Sequence, residues 1–164
     1  MMDLDAVMRR LELEKLYTSY AHCLDNDALE DWPGFFTDDC FYRITSAENF
    51  AAGLPIGIIY ATSKAMLVDR VMALRKANIY EPQVYRHLVS SMKICSDDDS
   101  ENRGTLAVTA NFLVVRTMQD GAMTLFAVGR YVDLVLHQDD GWKFARKEAV
   151  LDSRRIDTLL AIPL

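Results

Sequence analysis

Hydrophobic positions recur every three or four residues at the start of this chain and every second residue towards its end. Leu4, Val7, Met8 and Leu11 form one stripe, which Leu13, Leu16, Tyr17, Tyr20, Ala21 and Leu24 continue with a small rotation. This spacing predicts a long helix with Arg9, Arg10, Glu12, Glu14 and Lys15 on its wet side. Asp3 or Asp5 is its expected N-cap, and Asp25-Asn26-Asp27 its end. A helical turn from Ala28 leads into Trp32-Pro33, followed by a strand from Cys40 to Thr45. Ser46 to Pro55 reads as loop because Gly53 and Pro55 break it, and Ile56 to Ala61 as a short strand. Ser63 is placed to cap a second helix to about Ala77, with Leu67, Val71 and Leu74 on one face and Asn78 and Pro82 beyond its end.

From Tyr85 onward the pattern is period two. Tyr85 to Cys95 precedes the acidic run Ser96-Asp97-Asp98-Asp99-Ser100-Glu101, a solvated loop. Thr105 to Met118 alternates, with Leu106, Val108, Ala110, Phe112 and Val114 against Thr105, Thr109, Asn111 and Thr117. Asp120-Gly121 and Asp140-Gly141 are hairpin signals that bound strands at Thr124 to Gln138 and Trp142 to Asp152. Helices first and long strands after predict an α+β domain over residues 1–164, its N-terminal helices packed on a curved, mostly antiparallel sheet. Thr124 to Gln138 is apolar on both faces: Phe126, Val128, Val132 and Leu134 on one, Leu125, Ala127, Tyr131 and Val135 on the other. Helices cover one face only, so the second is expected to be an oligomer surface, with Tyr131 and the tail from Ile156 as contacts.

The formal charge of -6 removes nucleic acid from the expected partners, since Arg146-Lys147 and Arg154-Arg155 are interrupted by Glu148, Asp152 and Asp157. No apolar stretch approaches the ~20 residues of a membrane span, and Met1-Met2-Asp3-Leu4-Asp5 lacks the features of a signal peptide. A cytoplasmic location is the expectation. Cys23, Cys40 and Cys95 are widely spaced and read as small buried apolar residues, not as a disulfide or metal framework.

Candidate chemistry is sparse. His22, His87 and His137 stand at no metal-ligand spacing with one another or with a cysteine, and no Rieske-type Cys-His segments occur. Gly53-Leu54-Pro55-Ile56-Gly57 is broken by proline and makes no phosphate loop. Acid–base work inside the cone remains, with Tyr20, Asp25, Asp27, Tyr42 and His87 as candidates. A histidine paired with an aspartate in an apolar pocket transfers protons near neutral pH. The competing reading makes His87 a hydrogen-bonded core or interface residue, Asp25 to Asp27 a helix terminus and Asp38-Asp39 a turn before a strand. Trp32, Phe35 and Phe36 read as core aromatics.

Several segments carry a family resemblance: Trp32-Pro33, Phe35-Phe36-Thr37-Asp38-Asp39-Cys40, Tyr42-Arg43, Glu48-Asn49, Gly53-Leu54, Met66-Leu67, Asp69-Arg70, Ala77-Asn78, Tyr80, Tyr85-Arg86-His87 and Ile162-Pro163-Leu164. On these the chain, from about Tyr17 onward, resembles the small (beta) subunits of bacterial aromatic-ring-hydroxylating oxygenases, nearest those serving terephthalate, salicylate and aminobenzoates. The layout is similar to the cone-shaped domains related to nuclear transport factor 2. The resemblance implies a cytoplasmic assembly of three large (alpha) and three small subunits, with self-association of the small ones. It also implies that the large subunit carries a Rieske [2Fe-2S] cluster and a mononuclear iron, leaving the small one structural, with no catalytic, cofactor or metal residues. Two rivals stand beside it. One is a stand-alone dehydratase or isomerase of the same fold using His87 with Asp25 or Tyr20, which requires a solvent-open pocket with His87 at its floor. The other is a binding module stabilised by its ligand.

Overall fold

The computed structural model describes residues 3–77, 80–96, 104–154 and 160–164. Helix α1 (Leu4–Asp25) is capped by Asp3, whose carboxylate accepts the Asp5 N–H. Leu13, Leu16, Tyr17, Tyr20, Cys23 and Leu24 are buried, whereas Leu4, Met8 and Leu11 of the first stripe stay exposed. A 3-10 turn (Trp32–Phe35) then delivers the chain to strand β1 (Phe36–Ser46). Asp38 and Asp39 lie within that strand, not in a turn before it. Ser46 caps a short helix α2 (Ala47–Ala51), accepting the Asn49 N–H where a loop was expected. Strand β2 is confined to Ile59–Ala61. Helix α3 (Lys64–Lys76) is capped by Ser63 and buries Leu67, Val71 and Leu74, as its spacing predicts.

Four long strands follow: β3 (Gln83–Ser96), β4 (Thr105–Met118), β5 (Met123–Gln138) and β6 (Gly141–Leu151). The sheet runs β2-β1-β6-β5-β4-β3, and β1–β6 is its one parallel pair among the described residues. Gly121 and Gly141 take positive φ at the two hairpins, conformations that their Asp-Gly signals anticipate. Gly129 is required for a different reason: a Cβ there would run into the Val150 carbonyl oxygen of the neighbouring strand. The acidic run at 97–101, and Asn78, lie outside the described residues.

One face of this sheet meets the helices. Leu106, Val108, Ala110, Phe112 and Val114 of β4 point into it, together with Ala127, Tyr131 and Val135 of β5. Phe36 and Phe144 pack edge to face on the buried Tyr20, and Trp32 and Tyr42 pack edge to face on each other and on Phe36. Tyr131 is therefore core, 0% exposed and stacked on Phe112 at 4.5 Å, and is not the oligomer contact expected of it. Leu125 also changes sides. A register shift between Val114 and Val115 carries it to the outer face, where it is exposed. The tail is likewise internal where described: Ala161, Ile162 and Leu164 are buried. Cys23 and Cys40 are buried as expected, but Cys95 is exposed.

Burial raises the hydroxyl pKa of Tyr17, Tyr20, Tyr42, Tyr85 and Tyr131 above the ordinary tyrosine value. A raised folded-state value means stability present below the unfolded pKa near ~10 and lost as pH rises beyond it. Buried Lys147, depressed to about 8, acts in the opposite sense over the interval up to its ordinary value. Five tyrosines outweigh one lysine, so we expect stability to fall steeply above about pH 10. Phenolate absorbance followed during alkaline titration checks this: the buried tyrosines should ionise together with unfolding, not before it.

Candidate functional site

Asp25 is the last residue of α1, and Asn26 and Asp27 turn the chain away behind it, Asp27 in the left-handed region at φ 57°. This places the Asp25 carboxylate against the inward side of β3. Its Oδ1 lies 2.6 Å from His87 Nδ1, and its two oxygens accept the His87 backbone N–H at 3.1 and 3.0 Å. Two of the sequence-derived candidates thus form a pair, each locked by the other. The imidazole is 0% exposed, and its Nε2 has no hydrogen-bond partner among the described residues. A groove of about 610 Å³ between α1 and β3 runs beside the pair, lined by Thr18, His22, Asp25 and Ser90 among others. His87 itself also lines this groove, with its imidazole 0% exposed.

The remaining candidates go elsewhere. The Tyr20 hydroxyl donates to the Leu164 carbonyl oxygen at 2.7 Å, and Tyr42 does so at 3.0 Å while accepting the Leu164 N–H. Burial, then the neighbouring Tyr42, raise the Tyr20 hydroxyl well above its ordinary range. Asp27 is held by Arg75, which also grips Glu30 and so ties α3 to the turn after α1. His22 is exposed, and His137 packs against Trp142 with ring centres 5.0 Å apart. Among the described residues no group of three or more His, Cys, Asp or Glu converges to hold a metal ion.

Lys147, half of the interrupted Arg146-Lys147 basic pair, is part of a buried charge pair. Lys147 is fully buried, 3.1 Å from Asp133, and both side chains are 0% exposed. Its ammonium sits among the rings of Tyr17, Tyr20, Tyr131 and Phe144, nearest Tyr131 at 3.3 Å from the ring centre. Tyr17 donates to Asp133 at 2.5 Å, and the Glu148 N–H supplies a further bond. Burial pushes Asp133 up and Lys147 down, to about 8, with each partner opposing the shift of the other. The signal for this pair was in the alternation. Asp133 shares the inward parity of Tyr131 and Val135, and Lys147 lies directly opposite it in the register.

On the outer face, Arg43 and Arg146 both donate to Glu148 at 2.8 Å. Arg43 also donates to the Leu54 carbonyl, and Thr45 to that of Ile56, so the segment after α2 covers this end of the sheet. Farther across, Leu88, Leu125, Val128 and Leu134 remain between 38% and 72% exposed.

A helical layer on one face of an open six-stranded, mostly antiparallel sheet defines a cone-shaped domain of the nuclear transport factor 2-like class. Residues 20–158 match the ring hydroxylating beta subunit family. The chain is 41% identical to the anthranilate 1,2-dioxygenase small subunit of Burkholderia cepacia, over 93% of this chain and 92% of that one. It is 40% identical to subunit beta 1 of the terminal oxygenase component of terephthalate 1,2-dioxygenase from Comamonas sp, over 96% and 100%. A crystal structure of a beta subunit assigned to an aromatic-ring-hydroxylating dioxygenase of Novosphingobium aromaticivorans superposes with a TM-score of 0.86. Its sequence identity is 34%, and 99% of this chain and 100% of that one are covered. The protein belongs to the ring hydroxylating beta subunit family.

Proposed function

We propose that this chain is the small, assembly-forming subunit of an oxygenase that hydroxylates aromatic rings in the breakdown of aromatic compounds, with aromatic carboxylates as its substrate class. A large subunit performs the oxygen chemistry in this reading and carries the Rieske cluster and mononuclear iron. The small one acts as a single domain over 1–164, in a cytoplasmic assembly of three large and three small chains. The observation that carries the reading is the apolar outer face of the sheet around Leu88, Val128 and Leu134, left uncovered in a member of this family. Large apolar patches on soluble proteins mark interaction surfaces. Among the described residues no helix is long and apolar enough to cross a membrane. The substrate class rests on the anthranilate and terephthalate enzymes to which the relatives belong. Holding large subunits in a ring fixes the spacing between neighbouring catalytic chains, which is the contribution assigned here to the small subunit.

The test is to co-express the tagged chain with the large-subunit gene from its own locus and to measure the mass and iron content of the product. A large iron-containing complex, whose iron disappears when the large-subunit gene is omitted, is the expected result. A small iron-free oligomer formed with the large subunit present would overturn the reading.

A further inference from the structure

A cavity of about 540 Å³ opens on the outer face of the sheet, between β1, β5 and β6 and the segment from α2 to β2. Three elements supply its rings: Phe41 of β1, Phe50 of α2 and Tyr60 of β2, with Phe41 and Tyr60 edge to face at 5.4 Å. Two guanidiniums line the same space. Arg146 lies over the Phe41 ring at 4.5 Å, and Arg43 stands 5.8 Å from Phe41 and 6.0 Å from Phe50. Strand alternation builds this arrangement. Phe41 and Arg43 share one side of β1, and Arg146 and Glu148 stand opposite them in the parallel register of β6.

The balance of charge decides what the cavity suits. Two carboxylates line it, and Asp133 is already neutralised by Lys147, which leaves Glu148 against both Arg43 and Arg146. Glu148 accepts from Nε and Nη2 of Arg43 through one oxygen and from Nη1 of Arg146 through the other. One positive charge is left over, in a chain whose formal charge is -6. The two arginines divide the work: the Arg43 side chain is 10% exposed and anchors Glu148, whereas that of Arg146 is 47% exposed and faces outward. A guanidinium held in place by a ring and a carboxylate is prepared to grip a further carboxylate through two parallel N–H bonds.

We propose that this cavity receives the carboxylate of an aspartate or glutamate of the large subunit, and that Arg146 is the residue that contacts it. The inference rests on the assembly reading above and names the chemistry of the contact within it. Leu134, one of the apolar residues that mark the uncovered face, also lines the cavity and stands opposite Arg146 in the register. The charged site is therefore continuous with the apolar surface given to the large subunit. Apolar contact supplies affinity without direction, and an ion pair at its border fixes the register of the two partners. A second copy of this chain suits the site less well, because two bodies of charge -6 repel.

The test uses the full chain co-expressed with the large subunit from its own locus. Arg146→Gln removes the charge; Arg146→Lys keeps it and adds an amine that a carbodiimide couples to an adjacent carboxylate. The wild-type complex should form, with a dissociation constant that rises with salt. Arg146→Gln should weaken it about thirtyfold or more and flatten that salt dependence. In the Arg146→Lys complex, mass spectrometry should find an amide bond from position 146 to an aspartate or glutamate of the large subunit. That coupling decides the matter even if Arg146→Gln does not fold, since the lysine still neutralises Glu148. Arg146→Gln assembling as well as the wild type, or a coupling found only to another copy of this chain, would overturn the inference and leave the assembly reading standing. Unchanged assembly together with benzoate that stabilises the wild type but not Arg146→Gln would give the cavity to a free aromatic carboxylate instead. A wild-type chain that forms no complex would sink the assembly reading, and this inference with it, before Arg146 comes into question.

Discussion

Replacing Asp133 with alanine is expected to destabilise the protein by about 3–5 kcal/mol, because it strands the Lys147 ammonium in the core. Lys147 is fully buried among four rings, with Asp133 as its one anionic contact among the described residues, at 3.1 Å. Its pKa, already pushed down to about 8 by burial, should fall further once the carboxylate no longer offsets that burial. Tyr17 would also lose the acceptor of its 2.5 Å hydrogen bond. The double variant Asp133→Leu with Lys147→Met tests the same idea in reverse. Removing both charges and filling the space with apolar groups should return most of the lost stability, since desolvation of a buried pair often exceeds its mutual attraction. Urea unfolding of Asp133→Leu, of Lys147→Met and of the double variant decides the matter. Additive losses, with the double variant worse than either single, would show that the two charges are not coupled.

That pair also shows where the sequence was readable and where it was not. Alternation alone assigned the whole of β4 correctly, and Ser63 with its three apolar residues assigned α3. Both elements are long enough for their period to rise above noise. Helix α2 is five residues, too short for any period, and only the Ser46 cap marks it. Parity divides β5 into two sets but does not say which set meets the helices, so Tyr131 was assigned to the outside. The bulge opposite Val114 and Val115 then moved Leu125 against its parity. Lys147 was hidden by its neighbours: Arg146 and Glu148 face outward on either side of it, and a charged run reads as a wet surface. In the candidate site, Asp25 and His87 were legible as chemically apt residues that the topology brings together. Tyr20 was grouped with them by residue type alone, and what separates it is a contact with Leu164, which lies 144 residues away and which no local pattern encodes.

The corrected faces of β5 predict opposite outcomes for two aspartate substitutions on one strand. Tyr131→Asp removes a fully buried ring stacked on Phe112 and places a second carboxylate near Asp133. Losing a buried aromatic costs about 3–5 kcal/mol before the desolvated charge is counted, enough to unfold a domain of ordinary stability. Leu134→Asp acts on the other face. Leu134 is 38% exposed and stands opposite Arg146, so a carboxylate there meets water and a cation. Its effect on unfolding should stay within about 0.5 kcal/mol, as for most surface positions. Co-purification with the large subunit should nevertheless fall by roughly thirtyfold or more, the loss of about 2 kcal/mol typical of a charge placed at an interface centre. Denaturation of the isolated chain and recovery of the complex, measured side by side, separate the two effects. A Leu134→Asp chain that assembles as well as the wild type would move the interface off this face, even though the uncovered side chains of Leu88, Val128 and Leu134 mark it as the place to look first.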